Sequence, residues 1–284
     1  MKQLFLFLCS FLWLTAQAQE TQSRLIDRAT PVDTARYKVT YSLKYKYHPD
    51  IQDYFTDTRI VQIGKRKIKD YSDIIHHFDS LATEQVRCGA DAYSNVSGMP
   101  WPVEITRPQR GAVADMKRRL DLIGNFIYQD SVPALEWQFV PDETAAILGY
   151  ECAKAKCEFA GRSYSAWFTQ ELPLPFGPYK FGGLPGLILK IEDAEQQFVW
   201  EAVGFERSAE PIFDYTYQDG NDNRCTASDV AKAVERYFNA PYSFMIAQLG
   251  GDASRLYVTG KDGKRINAAD LEKISIPYKP LEMK

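Results

Sequence analysis

Residues Tyr37–Tyr47 read YKVTYSLKYKY, and no other stretch of the chain limits its fold so sharply. Odd positions carry Tyr37, Val39, Tyr41, Leu43, Tyr45 and Tyr47, while even positions carry Lys38, Thr40, Ser42, Lys44 and Lys46. Side chains alternate between the two sides of an extended chain, so this segment is a strand with one aromatic, apolar face and one wet, basic face. Sheets solvated on one face are antiparallel as a rule. Further strands are predicted over 58–63, 125–129, 135–140, 146–159, 162–169, 186–192 and 197–206, with turns such as Pro141-Asp142 and Glu192-Asp193-Ala194 between them. Such short connections make hairpins rather than crossovers.

Helical spacing is confined to a few segments. Ser72–Val86 carries Ile74, Ile75, Phe78, Leu81 and Ala82 on one face behind an N-capping Ser72. Ser228–Asn239 is a second amphipathic helix, ended by Pro241, and 112–123 is expected to form a third, short one. Residues 89–112 are rich in Gly, Pro and Arg and read as irregular; 19–33 read as a loose polar arm. No repeat or linker interrupts the chain. The expectation is a single α+β domain over residues 19–284, a large curved antiparallel sheet (open or half barrel) with two or three helices.

The chain opens MKQLFLFLCSFLWLTAQAQE. Lys2, the apolar run Leu4–Leu14 and Ala16-Gln17-Ala18 have the layout of a secretory leader over residues 1–18, cleaved after Ala18. Cys9 lies inside the apolar run, behind Leu6-Phe7-Leu8, which lacks the small residue that lipoprotein processing requires. The expected product is therefore exported, periplasmic or beyond, without a lipid anchor. No later run is long enough to span a membrane. A net charge of −3 carries no polybasic footprint, so nucleic acid is not an expected partner.

Export gives the cysteines meaning. Beyond the leader stand Cys88, Cys152, Cys157 and Cys225, an even number that predicts two disulfides. Cys152 and Cys157 share one predicted strand and lie roughly 16 Å apart at about 3.3 Å per residue, out of disulfide reach. Each is therefore expected to pair with Cys88 or Cys225.

The segment FGPYKFGGLPGLILKI, Phe176–Ile191, crowds Gly and Pro ahead of an apolar strand. Gly182 and Gly183 permit positive φ, Pro185 fixes φ, and Gly186 admits a close neighbour. The plain reading is a turn that lets the sheet curl. The functional reading is a lip on a ligand cavity, with Phe176, Tyr179, Phe181 and Leu184 as contacts and Trp167 on the wall.

Catalytic patterns are sparse. His48, His76 and His77 are the only histidines, and adjacent imidazoles on a helix diverge, so His76 and His77 read as solvated surface rather than a metal site. The sequence has no G-x-S-x-G, H-E-x-x-H, Walker A or G-x-G-x-x-G, and no cofactor is expected. Glu151 and Glu158 are the best acid candidates for a carboxylate-dependent hydrolase.

The hexapeptide Gly183-Leu184-Pro185-Gly186-Leu187-Ile188 then gives a kinship. With GYECAKAKCEFAGRSYSAWFTQELP upstream, VTYSLKYKY, VQIGKRKIKDYSD and the ending YKPLEMK, the chain resembles the GLPGLI family of exported proteins from Bacteroidetes-type bacteria. Lys279 stands where that family's ending carries Asn. The order of elements is also similar to the curved sheet of periplasmic LolA-like carriers. The resemblance implies no reaction and no catalytic residues. Family members occur beside TonB-dependent outer-membrane transporters. The expected function is a non-catalytic envelope protein that binds an amphipathic small molecule or an outer-membrane partner in the concavity of its sheet. The alternatives are a hydrolase and an accessory that docks by strand addition.

Overall fold

The structure, a computed structural model, describes residues 22–120, 124–248, 258–259, 265–266 and 275–283. The predicted leader and Cys9 lie outside the described residues. The larger compact unit comprises Glu20–Ala227 with Lys279–Lys284. Its strands are β1 (Ile26–Tyr45), β2 (Phe55–Gly64), β3 (Lys67–Ser72), β4 (Val103–Pro108), β5 (Val113–Leu120), β6 (Gly124–Ser131), β7 (Gln138–Ile147), β8 (Tyr150–Phe159), β9 (Arg162–Thr169), β10 (Leu187–Asp193), β11 (Phe198–Arg207), β12 (Pro211–Tyr217) and β13 (Asp222–Arg224). Helix α1 (Asp73–Arg87) connects β3 to β4.

These strands form one open sheet in the order β13-β6-β5-β4-β3-β2-β1-β11-β10-β9-β8-β7, with β12 added to β1. The pairings are antiparallel apart from β13 with β6. The sheet curls strongly. Between β4 and β8 lie seven strand spacings, roughly 34 Å if flat at about 4.8 Å each. Yet Phe181 accepts a hydrogen bond from Arg107 of β4 and packs its ring on Phe159 of β8, 5.5 Å between centroids.

β1 performs two tasks. Its C-terminal half inserts between β2 and β11, and its alternation is as the sequence predicts: Val39, Tyr41, Leu43 and Tyr45 are fully buried on the inner face. Its N-terminal half pairs with β12 instead, so part of the expected loose arm is strand. That half was illegible because its side chains are mostly exposed and it is held by backbone pairing. Helix α1 forms as predicted, with Ser72 Oγ accepting the Ile75 N–H at 3.2 Å.

Three sequence expectations need correction. The helix predicted over 112–123 is the strand β5, whose Ala114 and Met116 are buried two positions apart while Lys117 and Arg119 reach charged partners on the other face. The irregular stretch 89–112 contains β4. The strand predicted over 146–159 is broken by a tight turn in which Leu148 and Gly149 both take positive φ, 52° and 82°.

The smaller unit contains α2 (Ala227–Asn239), α3 (Pro241–Gln248) and the short pair β14 (Val258–Thr259) and β15 (Arg265–Ile266). Within it Val230, Val234, Tyr237 and Phe238 of α2 are buried, and Tyr278 stacks on Phe238 at 4.1 Å. No described helix is long and apolar enough to cross a membrane.

The predicted disulfides are absent: none of Cys88, Cys152, Cys157 and Cys225 is cross-linked. Cys152 and Cys157 stand five positions apart on β8, and both are buried. Cys88 caps α1 at the surface, and Cys225 follows β13, ten places from β8 in the strand order. Burial pushes the Cys152 thiol up to about 11 and Cys157 up to about 12.

Candidate functional site

The Gly/Pro lip runs from the end of β9 to β10 and lies across the inner face of the sheet. Gly186 admits the close approach its sequence suggests: a Cβ there would sit 2.0 Å from the Thr169 carbonyl oxygen. Gly183 takes φ +88°, and Tyr179, not a glycine, also takes positive φ at 54°. The consequence for the predicted cavity is direct. Phe176, Tyr179, Phe181 and Leu184 are all buried, and Phe181 has no exposed surface. Its ring packs on Tyr164 at 4.7 Å and on Trp200 at 5.9 Å, while Tyr179 packs on Trp101 at 5.4 Å. The expected ligand contacts are core: the lip fills the concavity it was predicted to border, because its aromatics find aromatic partners on β8, β9 and β11.

A polar seam fixes the lip. Asp70 Oδ2 accepts the Tyr179 N–H at 2.6 Å, and Trp137 Nε1 donates to the Gly182 carbonyl at 2.9 Å. Beneath it, Arg59 donates to Asp70 at 2.7 Å and to Asp57 at 3.2 Å, all three buried. Burial pushes the Asp57 carboxyl upward against the pull of Arg59. Burial also lowers the Arg107 guanidinium to about 10. Asp57 and Asp70 thus share one guanidinium in the core. Glu151 and Glu158 are instead exposed on β8, and Glu158 accepts a hydrogen bond from Ser163.

The C-terminal tail closes the same face. Arg162 holds the Pro280 carbonyl at 2.6 Å together with Asp193 and Gln197, and Gln197 donates to the Lys279 carbonyl at 2.8 Å. Glu282 then meets the lip, accepting from the Tyr179 hydroxyl and pairing with Lys180 at 2.5 Å. Lys180 also pairs with Asp130 of β6 at 2.8 Å. The sequence did not single out Lys180, Asp130 or Glu282. The available signal was a lysine embedded between the two lip aromatics.

The outer face differs along the sheet. Over β2–β5 it is covered by α1 and the β1–β12 ribbon, above a charged layer. A cavity of about 40 Å³ remains there, bordered by Tyr71, His76, Asp79, Glu104, Lys117 and Tyr215. It has room for about three water molecules. His76 is half-buried rather than solvated, with Nε2 2.9 Å from the Tyr215 hydroxyl, and burial, aided by Lys69, lowers its imidazole. His77 lies beside Phe78. Among the described residues no group of three His, Cys, Asp or Glu is placed to hold a metal.

Over β8–β11 the outer face presents Trp167, half-buried and away from the lip residues it was expected to join. The register sets it opposite Lys154 on β8 and Lys190 on β10, whose ammonium groups stand 5.0 and 5.1 Å from the ring centroid. Acids alternate with these lysines: Glu143 lies 2.5 Å from Lys154, and Glu192 and Glu201 lie 3.4 and 3.7 Å from Lys190.

Strand edges are guarded. β7 contains Pro141 and a break in register between Val140 and Thr144, with Asp142 at φ 60°. On β12 the carbonyls of Phe213 and Tyr215 are capped by Lys69 and Lys117 at 2.6 and 2.9 Å. β13 is three residues long. These are the usual devices against strand addition, so none of the three offers the long flat edge that docking by strand addition requires.

Residues 96–211 match the family model described as the N-glycanase peptide, N-terminal domain, which is less than half of the chain. Two solved structures of PNGF-II, in space groups P21 and C2, each align with a TM-score of 0.45 and 17% identity, covering 70% of this chain and 32% of theirs. This chain therefore spans about a third of the length of those structures. No curated protein matches it.

Proposed function

We propose that this chain is a non-catalytic binding protein of the cell envelope, and that it recognises carbohydrate on the outer face of β8–β11 rather than an amphipathic ligand in the concavity. The observation that carries the reading is Trp167 set between Lys154 and Lys190 with Glu143, Glu192 and Glu201 around them. An indole offers a flat apolar surface to the C–H face of a sugar ring, and neighbouring ammonium and carboxylate groups supply the donors and acceptors that hydroxyls need. The mixed charge suits a neutral glycan better than a polyanion. The lip contributes by exclusion, since it occupies the inner face itself. The match to a domain named for an N-glycanase supports the same ligand class. The predicted leader and the GLPGLI resemblance support the envelope setting, where the protein would act alone or beside an outer-membrane transporter.

Glycan-array screening of the purified protein, followed by calorimetry on the best neutral oligosaccharide, tests this. Wild type binds and Trp167→Ala loses binding while its circular dichroism stays unchanged. No neutral glycan binding, or equal binding by the variant, refutes the proposal.

A further inference from the structure

Lys180 is an enclosed ammonium held between two carboxylates. Its side chain is 1% exposed, and its Nζ lies 2.8 Å from Asp130 Oδ2 and 2.5 Å from Glu282 Oε1. The other oxygen of Asp130, Oδ1, accepts the backbone N–H of Ser131 at 2.8 Å. Glu282 also accepts the Tyr179 hydroxyl, and the Tyr179 ring lies 5.4 Å from the lysine ammonium. These groups come from the lip, from β6 and from the C-terminal tail, which are remote in sequence. An enclosed ammonium with two carboxylates in contact is more than charge balance requires. It provides an amine, a carboxyl group to receive it, and a second carboxylate to move protons.

We propose that Lys180 and Asp130 condense into an intramolecular amide cross-link, with Glu282 as the proton shuttle. Glu282 takes one proton from the Lys180 ammonium and delivers it to Oδ2 of Asp130, leaving a neutral amine facing a neutral acid. The Nζ lone pair attacks Asp130 Cγ, and negative charge develops on Oδ1, where the Ser131 N–H is already placed to receive it. Glu282 removes a proton from the nitrogen and gives it to the Oδ2 hydroxyl. The C–Oδ2 bond breaks and water leaves, while the N–C bond remains. No oxidant, metal or nucleotide is consumed. The Tyr179 hydroxyl, bonded to Glu282, holds that carboxylate against the amine. Fixing the reacting groups in contact supplies the effective concentration that amide formation lacks in solution. The product removes the buried ammonium and staples the lip to β6, in a chain whose four described cysteines form no cross-link.

Peptide mapping of the denatured native protein by mass spectrometry reads this directly. The expected result is a branched peptide joining Lys180 to Asp130, lighter by one water than its two linear parts. Recovery of both linear peptides at full mass overturns the proposal, and a bond from Lys180 to Glu282 overturns the assignment of Asp130 as acceptor. Glu282→Gln keeps the side-chain shape but cannot carry the proton. It is expected to fold without the cross-link, and cross-linking at the wild-type level would remove Glu282 from the mechanism.

Discussion

Replacing Phe181 with alanine tests whether the lip is core. The side chain has no exposed surface and packs on Tyr164, Phe159, Trp200 and Tyr179 with ring centroids between 4.7 and 6.3 Å. Truncating so enclosed an aromatic loses its transfer free energy and leaves a cavity, about 3–5 kcal/mol in total. With a urea dependence of about 3 kcal/mol per M, that shifts the unfolding midpoint down by about 1.3 M. Phe139 is the internal control: it lies on β7 with 61% of its surface exposed, and Phe139→Ala is expected to change stability by only about 0.5 kcal/mol. Tryptophan fluorescence in urea is a suitable assay, because Trp101, Trp137, Trp167 and Trp200 all belong to the larger unit. A Phe181→Ala midpoint equal to that of Phe139→Ala refutes the packed lip and reopens the concavity as a ligand site.

Two further outcomes follow from buried charge. Arg59→Met leaves Asp57 and Asp70 enclosed without their shared cation, and is expected to cost about 3–5 kcal/mol in urea unfolding; adding Asp57→Asn and Asp70→Asn should recover much of it, and no recovery would show that the guanidinium acts through packing alone. His76 faces Tyr71, Tyr215, Lys69, Glu104, Asp73 and Asp79, and its folded imidazole sits below the ordinary 6.5. The unfolded chain therefore takes up a proton that the folded chain refuses, so stability falls as pH drops through and below 6.5; His76→Gln should flatten that slope, and an unchanged slope between about pH 7 and about pH 5 counts against it.

What the sequence disclosed depends on how local each determinant is. β1 was legible because one face is buried over its C-terminal half, so period two is written into Tyr41, Leu43 and Tyr45. α1 was legible because its cap and its apolar stripe lie within one segment. β5 was misread because VADMKRRL contains good helix formers, and only pairing with β4 and β6 overrides that preference. The lip was recognised from its glycines and prolines, and its aromatics were read as contacts of a ligand cavity. Whether they border a hollow or fill it depends on Trp101, Tyr164 and Trp200, which no local pattern ties to them. The same holds for Lys180, whose partner Asp130 is 50 residues away, and for Tyr179, whose partner Asp70 is 109 away. Trp167 illustrates the converse: its parity on β9 sends it to the outer face, opposite the buried Phe168.

The place of β1 in the strand order bears on how the protein is made. This strand, near the start of the chain, sits between β2, its immediate successor, and β11, whose residues begin at Phe198. A hairpin of β1 and β2 can form as soon as both have emerged, but one flank of β1, with Tyr41 and Tyr45, stays open until about 140 more residues have been delivered. Translocation N-terminus first would thus expose a long, sticky ribbon during most of its passage, the interval in which neighbouring copies could pair with it instead. For a chain of this topology carried across a membrane, a holding chaperone at the exit or a slow final closure once β11 docks would keep that flank from pairing wrongly.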